Sequence, residues 1–142
     1  MLDKVQERLC SENTIDFSDL AALTINCTLK PSPQGSHTAK LLGVPEAILA
    51  RNGVSLEQVR LVDHTIAPGV YPDMTEHGFE TDAWPAIWEK IERADILIVG
   101  TPIWLGQKSS VCQRLIERLP GLLAPPEPGE DDAVVAQGER PG

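Results

Sequence analysis

The chain is poor in the features that most readily declare a function. It has only three cysteines, Cys10, Cys27 and Cys112. An odd, scattered set makes no disulfide framework and no CxxC metal pattern. Cys27 and Cys112 fall in apolar segments, which predicts buried, reduced thiols. The three histidines, His37, His64 and His77, are too dispersed to suggest a zinc site. Basic residues are scarce: 12 Lys and Arg stand against 21 Asp and Glu, a net charge of −9. That balance argues against wide nucleic-acid binding, which needs a basic face to neutralise phosphates. It leaves room for a small phosphate ligand, because a few backbone N–H groups can hold one against an acidic average. No apolar run approaches the ~20 residues of a membrane span. Residues 1–7 lack the basic-then-apolar order of a signal peptide. A cytoplasmic protein with neither membrane nor nucleic-acid partners is expected.

What is present is material for one packed domain. Hydrophobic residues make up 42% of 142 positions, too many for a disordered chain. Residues 1–10 can form a short amphipathic helix with Leu2, Val5 and Leu9 on one side. Residues 20–27 are a short apolar run without polar alternation, as in a strand buried on both faces. A turn-rich stretch follows, and Ser36 and Thr38 stand where N-caps should. The helix beyond them has Leu41, Val44, Ile48 and Leu49 for its apolar face. Pro45 inside it predicts a kink or restart near Gly43. Residues 57–63 read as a second strand with Val59, Leu61 and Val62 inward, at an outer position. Residues 64–80 form a long loop, of the kind that is often functional. Residues 82–94 give the clearest helix, with Asp82 as N-cap and Trp84, Ile87, Trp88 and Ile91 on one face. Residues 95–101 are a β-branched run expected at the sheet's centre. A loop over 102–108 leads to a last helix, capped by Ser109 or Ser110, with Val111, Leu115, Ile116 and Leu119 on one face.

Strands alternating with helices mean a parallel sheet with right-handed crossovers. With strand order 2-1-3, ligands belong at the carboxyl ends between strands one and three. The two loops there differ in complementary ways. The first, 28–38, carries the hydroxyls of Thr28, Ser32, Ser36 and Thr38, the positive charge of Lys30, and outward N–H groups of a helix start. These make an anion cradle of phosphate size, although neither the Walker pattern nor GxGxxG occurs. The second places Pro102, Ile103, Trp104, Leu105 and Gly106 directly after a buried strand, an apolar loop suited to a flat ligand or a partner chain. Together they match a phosphate joined to a planar heterocycle.

On these residues the chain resembles the flavodoxin-like NAD(P)H-dependent FMN reductases. The stretch Thr28-Leu29-Lys30 through Gly35-Ser36-His37-Thr38-Ala39-Lys40 is similar to their phosphate loop. Ala94 through Thr101-Pro102-Ile103-Trp104-Leu105-Gly106 is similar to their third strand and flavin loop. The resemblance covers residues 20–119. It implies a flavodoxin-like α/β fold in which Thr28, Lys30, Ser36, His37 and Thr38 hold the phosphate of flavin mononucleotide (FMN). Thr101, Pro102, Ile103, Trp104, Leu105 and Gly106 line its isoalloxazine ring. It further implies NAD(P)H as co-substrate, hydride transfer through FMN with no acid–base side chain, and a possible homo-oligomer.

Such a fold normally continues through a fourth and fifth strand. After Leu119 nothing reads as either, so the C-terminal strands are expected to be missing. Residues 120–142, rich in Pro, Gly and acids, read as a disordered tail, and 1–19 as an N-terminal extension. Two other readings stand beside the reductase. One is a remnant or interaction module that binds no flavin. The other is a phospho-receiver with Asp63 as acceptor, disfavoured because no acidic pair follows the first strand.

Overall fold

The computed structural model describes residues 1–119. The reading of 120–142 as a tail therefore lies outside the described residues. The elements are α1 (Lys4–Glu12), β1 (Ala21–Asn26), α2 (His37–Arg51), β2 (Ser55–Arg60), α3 (Trp84–Arg93), β3 (Ile96–Gly100), β4 (Ile103–Trp104), β5 (Gln107–Lys108) and α4 (Ser110–Arg118). β1, β2 and β3 form a parallel sheet of order β2-β1-β3. This is the flavodoxin-like arrangement expected from the alternation of apolar strands and amphipathic helices.

β1 divides its side chains between two layers, as the strand period of two requires. Leu23, Ile25 and Cys27 join Val59, Leu61, Trp84, Ile87, Cys112 and Leu115 in the main core, which α3 and α4 close. Thr24 points the other way, to α2, and donates to Glu46 at 2.5 Å. Gly100 also faces α2, and a Cβ there would meet the Leu42 side chain at 2.8 Å. That close approach is why the end of β3 carries glycine.

Several sequence expectations need correction. α2 is assigned as helix without interruption through Pro45. Proline at 45 removes the bond to the Leu41 carbonyl, and Leu41 lies on an exposed turn of the helix. Leu41 and Val44 are exposed and Leu42 is the buried residue, so the inward face of α2 lies one position from the expected one. Ile116 of α4 is likewise exposed, while Cys112 and Arg118 are buried with Leu115. The N-cap of α3 is Ala83; Asp82, one residue earlier, still accepts the Trp84 N–H at 3.1 Å. β2 ends at Arg60, and residues 61–63 turn as a 3-10 helix. Within the described part of the chain, the apolar third strand is not central. Among the described residues it lies at the sheet edge, with Leu97 and Val99 41% and 40% exposed.

α1 forms, and Asp3 caps it in a reciprocal box with Gln6. No side chain of α1 is buried. Its link to the domain is polar, through Glu7 to Arg51 at 2.9 Å and Cys10 to Asn52 at 3.4 Å.

Candidate functional site

The carboxyl ends of β1 and β3 are clamped together before their loops diverge. The Cys27 N–H donates to the Gly100 carbonyl at 2.8 Å. Ser109, buried, donates its hydroxyl to the Cys27 carbonyl at 2.7 Å and accepts the Cys112 N–H at 3.0 Å as the cap of α4. Thr101 Oγ1 accepts the Ser109 N–H at 3.0 Å and donates to the Pro102 carbonyl at 2.9 Å. One buried serine thus ties the first loop, the second loop and α4 into a common base. Beneath it, burial and then the neighbouring Cys112 push the Cys27 thiol up to about 12. Cys27 is buried and packs within the main core.

The first loop ends at Ser36, the N-cap of α2. Its Oγ accepts the Ala39 N–H at 3.1 Å and its carbonyl accepts the Lys40 N–H at 3.1 Å. The first-turn amides of His37 and Thr38 lack intrahelical partners and are left to an outside acceptor. The Ser36 hydroxyl proton is still free to donate. So is that of Thr28, whose oxygen accepts the Lys30 N–H at 3.3 Å. Both hydroxyls are buried at the loop's inner wall. Neutral donors and a helix start, with Lys30 beside them, suit an anion of phosphate size.

The second loop is not a plain connector. β4 and β5 pair antiparallel as a hairpin, Ile103 opposite Lys108 and Trp104 opposite Gln107. Its turn residues, Leu105 and Gly106, have φ of 50° and 78°. Positive φ at both central positions is the type I′ pattern. The usual signal for that turn is Asn-Gly or Asp-Gly, and Leu at the first position hides it in the sequence. The hairpin carries Ile103, Trp104 and Leu105 outward, Ile103 and Trp104 69% and 53% exposed and Leu105 fully so.

The two loops share a cavity of about 230 Å³, lined by Thr28, Leu29, Lys30, Ser36, His37, Thr38, Pro102 and Trp104. Beside it, an apolar cleft of about 630 Å³ runs between α2 and β3; Leu41, Val44, Pro45, Val99, Thr101 and Ile103 are among its walls, and His37, Thr38 and Pro102 belong to both spaces. Nine of the eleven residues expected from the sequence are therefore brought together. Leu105 and Gly106 line neither space and form the hairpin tip.

Sequence reasoning missed the supports of this site. Asp63 accepts the Ser32 N–H and hydroxyl, and the Arg60 guanidinium donates to the Gln34 and Lys30 carbonyls. Ser32 thus braces the loop and does not line the cavity. The Ser32 hydroxyl, then its N–H, hold the Asp63 carboxyl below the usual carboxylate range. On the far side, Arg118 and Asp82 form an ion pair at 2.8 Å with no exposed side-chain surface. Arg118 donates to the Ala67, Tyr71 and Pro72 carbonyls, and Asp82 accepts the Ala67 and Met74 N–H groups. The long loop after β2 is pinned by this pair. Its only sequence signal was its length.

With the geometry described, comparisons with known proteins follow. A family model described as NADPH-dependent FMN reductase matches residues 21–135. The 8-demethyl-8-aminoriboflavin-5'-phosphate synthase of Streptomyces davaonensis is 35% identical over 105 residues, covering 70% of this chain and 41% of that protein. A protein of Mycobacterium bovis named divalent metal cation transporter MntH is 52% identical over 103 residues, covering 72% of this chain and 15% of its own length. Among solved structures, RosB with the bound intermediate 8-demethyl-8-formylriboflavin-5'-phosphate is similar with a TM-score of 0.65 and 34% identity. That match covers 78% of this chain and 45% of RosB. The chain thus spans less than half the length of each of these relatives.

Proposed function

The chain belongs to the NADPH-dependent FMN reductase family, and we propose that it binds FMN between its two loops as a flavin-dependent oxidoreductase. The observation that carries this reading is the single cavity into which the hydroxyl-rich first loop and the apolar second loop both open. The donor chemistry fits the cofactor. Thr28, Ser36 and the amides of His37 and Thr38 offer uncharged donors where an acidic protein would otherwise repel a phosphate, and Lys30 adds one positive charge. Pro102, Ile103 and Trp104 offer an apolar wall for a planar ring, continuous with the cleft beside β3. The flavin phosphates in the names of the synthase and of the RosB complex support the same ligand class.

FMN, when bound, supplies the hydride and electron chemistry between NAD(P)H and an acceptor. The protein's residues bind and orient it. The first loop fixes the phosphate, the clamp at Ser109 fixes the distance between the loops, and the hairpin sets the height of the apolar wall. No side chain here needs to move a proton. The NAD(P)H co-substrate, a homo-oligomer and a cytoplasmic location belong to the same proposal, the last supported by three free cysteines. The transporter name is not carried over. Its match covers 15% of that protein, and among the described residues no helix is long and apolar enough to cross a membrane.

The test is anaerobic reduction. Protein reconstituted with FMN is mixed with NADPH and the flavin absorbance followed. Bleaching faster than that of free FMN supports the oxidoreductase. Bound FMN that NADPH does not bleach contradicts the oxidoreductase, and protein that takes up no FMN on reconstitution favours the alternative, a remnant or interaction module that keeps the fold but binds no flavin.

A further inference from the structure

The loop after β1 has little to hold it from within. Pro31 and Pro33 have no N–H to donate. Its own bonds are Gln34 N–H to the Pro31 carbonyl at 3.0 Å and Lys30 N–H to Thr28 Oγ1 at 3.3 Å. Its shape is imposed from the end of β2. Asp63 Oδ1 accepts the Ser32 N–H at 2.8 Å, and Oδ2 accepts the Ser32 hydroxyl at 2.5 Å. Arg60 Nη1 donates to the Gln34 carbonyl at 2.8 Å and the Lys30 carbonyl at 3.3 Å. Arg60 precedes and Asp63 ends the 3-10 turn at Leu61–Asp63, whose Leu61 is 2% exposed and packed in the main core. The anchors therefore extend from a turn fixed in the core, while the loop they hold is exposed.

We propose that Asp63, with Arg60, is a positioning residue for the phosphate end of the flavin site. Neither lines the cavity. They fix the loop that presents Thr28 and Lys30 to the cavity and leads into Ser36. This rests on reading 28–38 as a phosphate cradle. Charge alone gives the opposite sign. A carboxylate near a bound phosphate repels it, so removing Asp63 tightens FMN if charge is what matters and loosens it if position is what matters. The carboxylate stands beside a cradle that it opposes electrostatically, and its two bonds to Ser32 explain its presence there.

The experiment compares FMN with riboflavin, which lacks the phosphate, on wild type, Asp63→Ala, Asp63→Asn and Ser32→Ala, by fluorescence titration. Asp63 is exposed, so thermal midpoints should stay close to wild type. Asp63→Ala should weaken FMN about tenfold or more, the scale of hydrogen bonds to a charged group, and leave riboflavin affinity unchanged. Asp63→Asn, which still offers an acceptor to the Ser32 N–H, should recover most of that loss. Ser32→Ala changes no charge and carries the test should Asp63→Ala not fold; it should weaken FMN alone, by a smaller factor. An Asp63→Ala chain that binds FMN as tightly as wild type or tighter overturns the proposal, as does an equal loss for riboflavin. A wild-type chain that binds no FMN overturns the flavin reading and this proposal with it. FMN binding undiminished in the variants overturns this proposal alone.

Discussion

Ser36 caps α2 and, in the function proposed above, holds the phosphate through the same oxygen, and the two roles can be separated. Its lone pairs cap α2 through the Ala39 N–H, while its proton remains for a ligand. Ser36→Ala removes both, with a stability cost of about 1 kcal/mol. Ser36→Asp keeps the cap, since Asp is as good an N-cap as Ser, but sets a negative charge against the phosphate. Thermal melts should show Ser36→Asp near wild type, while its FMN affinity falls below that of Ser36→Ala. Equal affinities would remove Ser36 from the phosphate site. Two further residues report on packing and strain. Gly100→Ala puts a methyl against Leu42 at 2.8 Å, and overpacking of this kind costs about 1–3 kcal/mol. Paired with Leu42→Ala, it should lose less in denaturant unfolding than the two single losses added together. Leu105 sits at φ 50°, where a side chain costs about 1–2 kcal/mol relative to a right-handed conformation. Leu105→Gly should therefore raise the melting temperature, and a fall would show that Leu105 makes contacts stronger than its strain.

The elements were largely legible because their periods are clean. Trp84, Ile87, Trp88 and Ile91 announce α3, and the run from Ile96 to Val99 announces β3. What the sequence hid is where long-range partners override local pattern. Arg118 lies in the last turn of α4, where an arginine reads as solvent-facing, yet it is buried against Asp82, Ala67, Tyr71 and Pro72. No local spacing reveals a pair 36 residues apart. The hairpin was hidden differently, because a leucine occupies a turn position that normally favours Asn, Asp or Gly. Arg118→Met leaves the Asp82 carboxylate buried without its ion partner and removes the guanidinium bonds to the Ala67, Tyr71 and Pro72 carbonyls. The loss should be about 3–5 kcal/mol, with faster proteolysis within residues 64–80. The pair also sets an acid limit. Burial pushes the Asp82 carboxyl up, but the Arg118 guanidinium and the Met74, Trp84 and Ala67 amides outweigh it and hold it below the usual range. A depressed carboxyl stabilises the fold fully above the unfolded value, about pH 4. That contribution is lost as pH falls through the lower folded value. Arg118→Met should therefore flatten the fall in stability below pH 4, and an unchanged acid profile would place the acid limit elsewhere.

At the scale of the whole molecule, both loops of the site and the strand order were readable, while the supports at Arg60, Asp63 and Ser109 emerged only with the fold. The reason is physical: lining residues sit next to each other in sequence, and their braces come from other strands and helices. The molecule is acidic, with a net charge of −9. The phosphate cradle proposed at residues 28–38 therefore relies on neutral donors and one lysine. FMN affinity should then depend weakly on salt, unlike that of a strongly basic site. The most direct test of the account is a titration of the apoprotein with FMN, read by flavin fluorescence and by Trp104 emission, with Trp104→Ala as the control. The expected result is saturable binding of about one flavin per chain that quenches both signals, with riboflavin binding more weakly. Flavin fluorescence that never saturates, or FMN and riboflavin binding equally, would contradict a flavin phosphate held by residues 28–38.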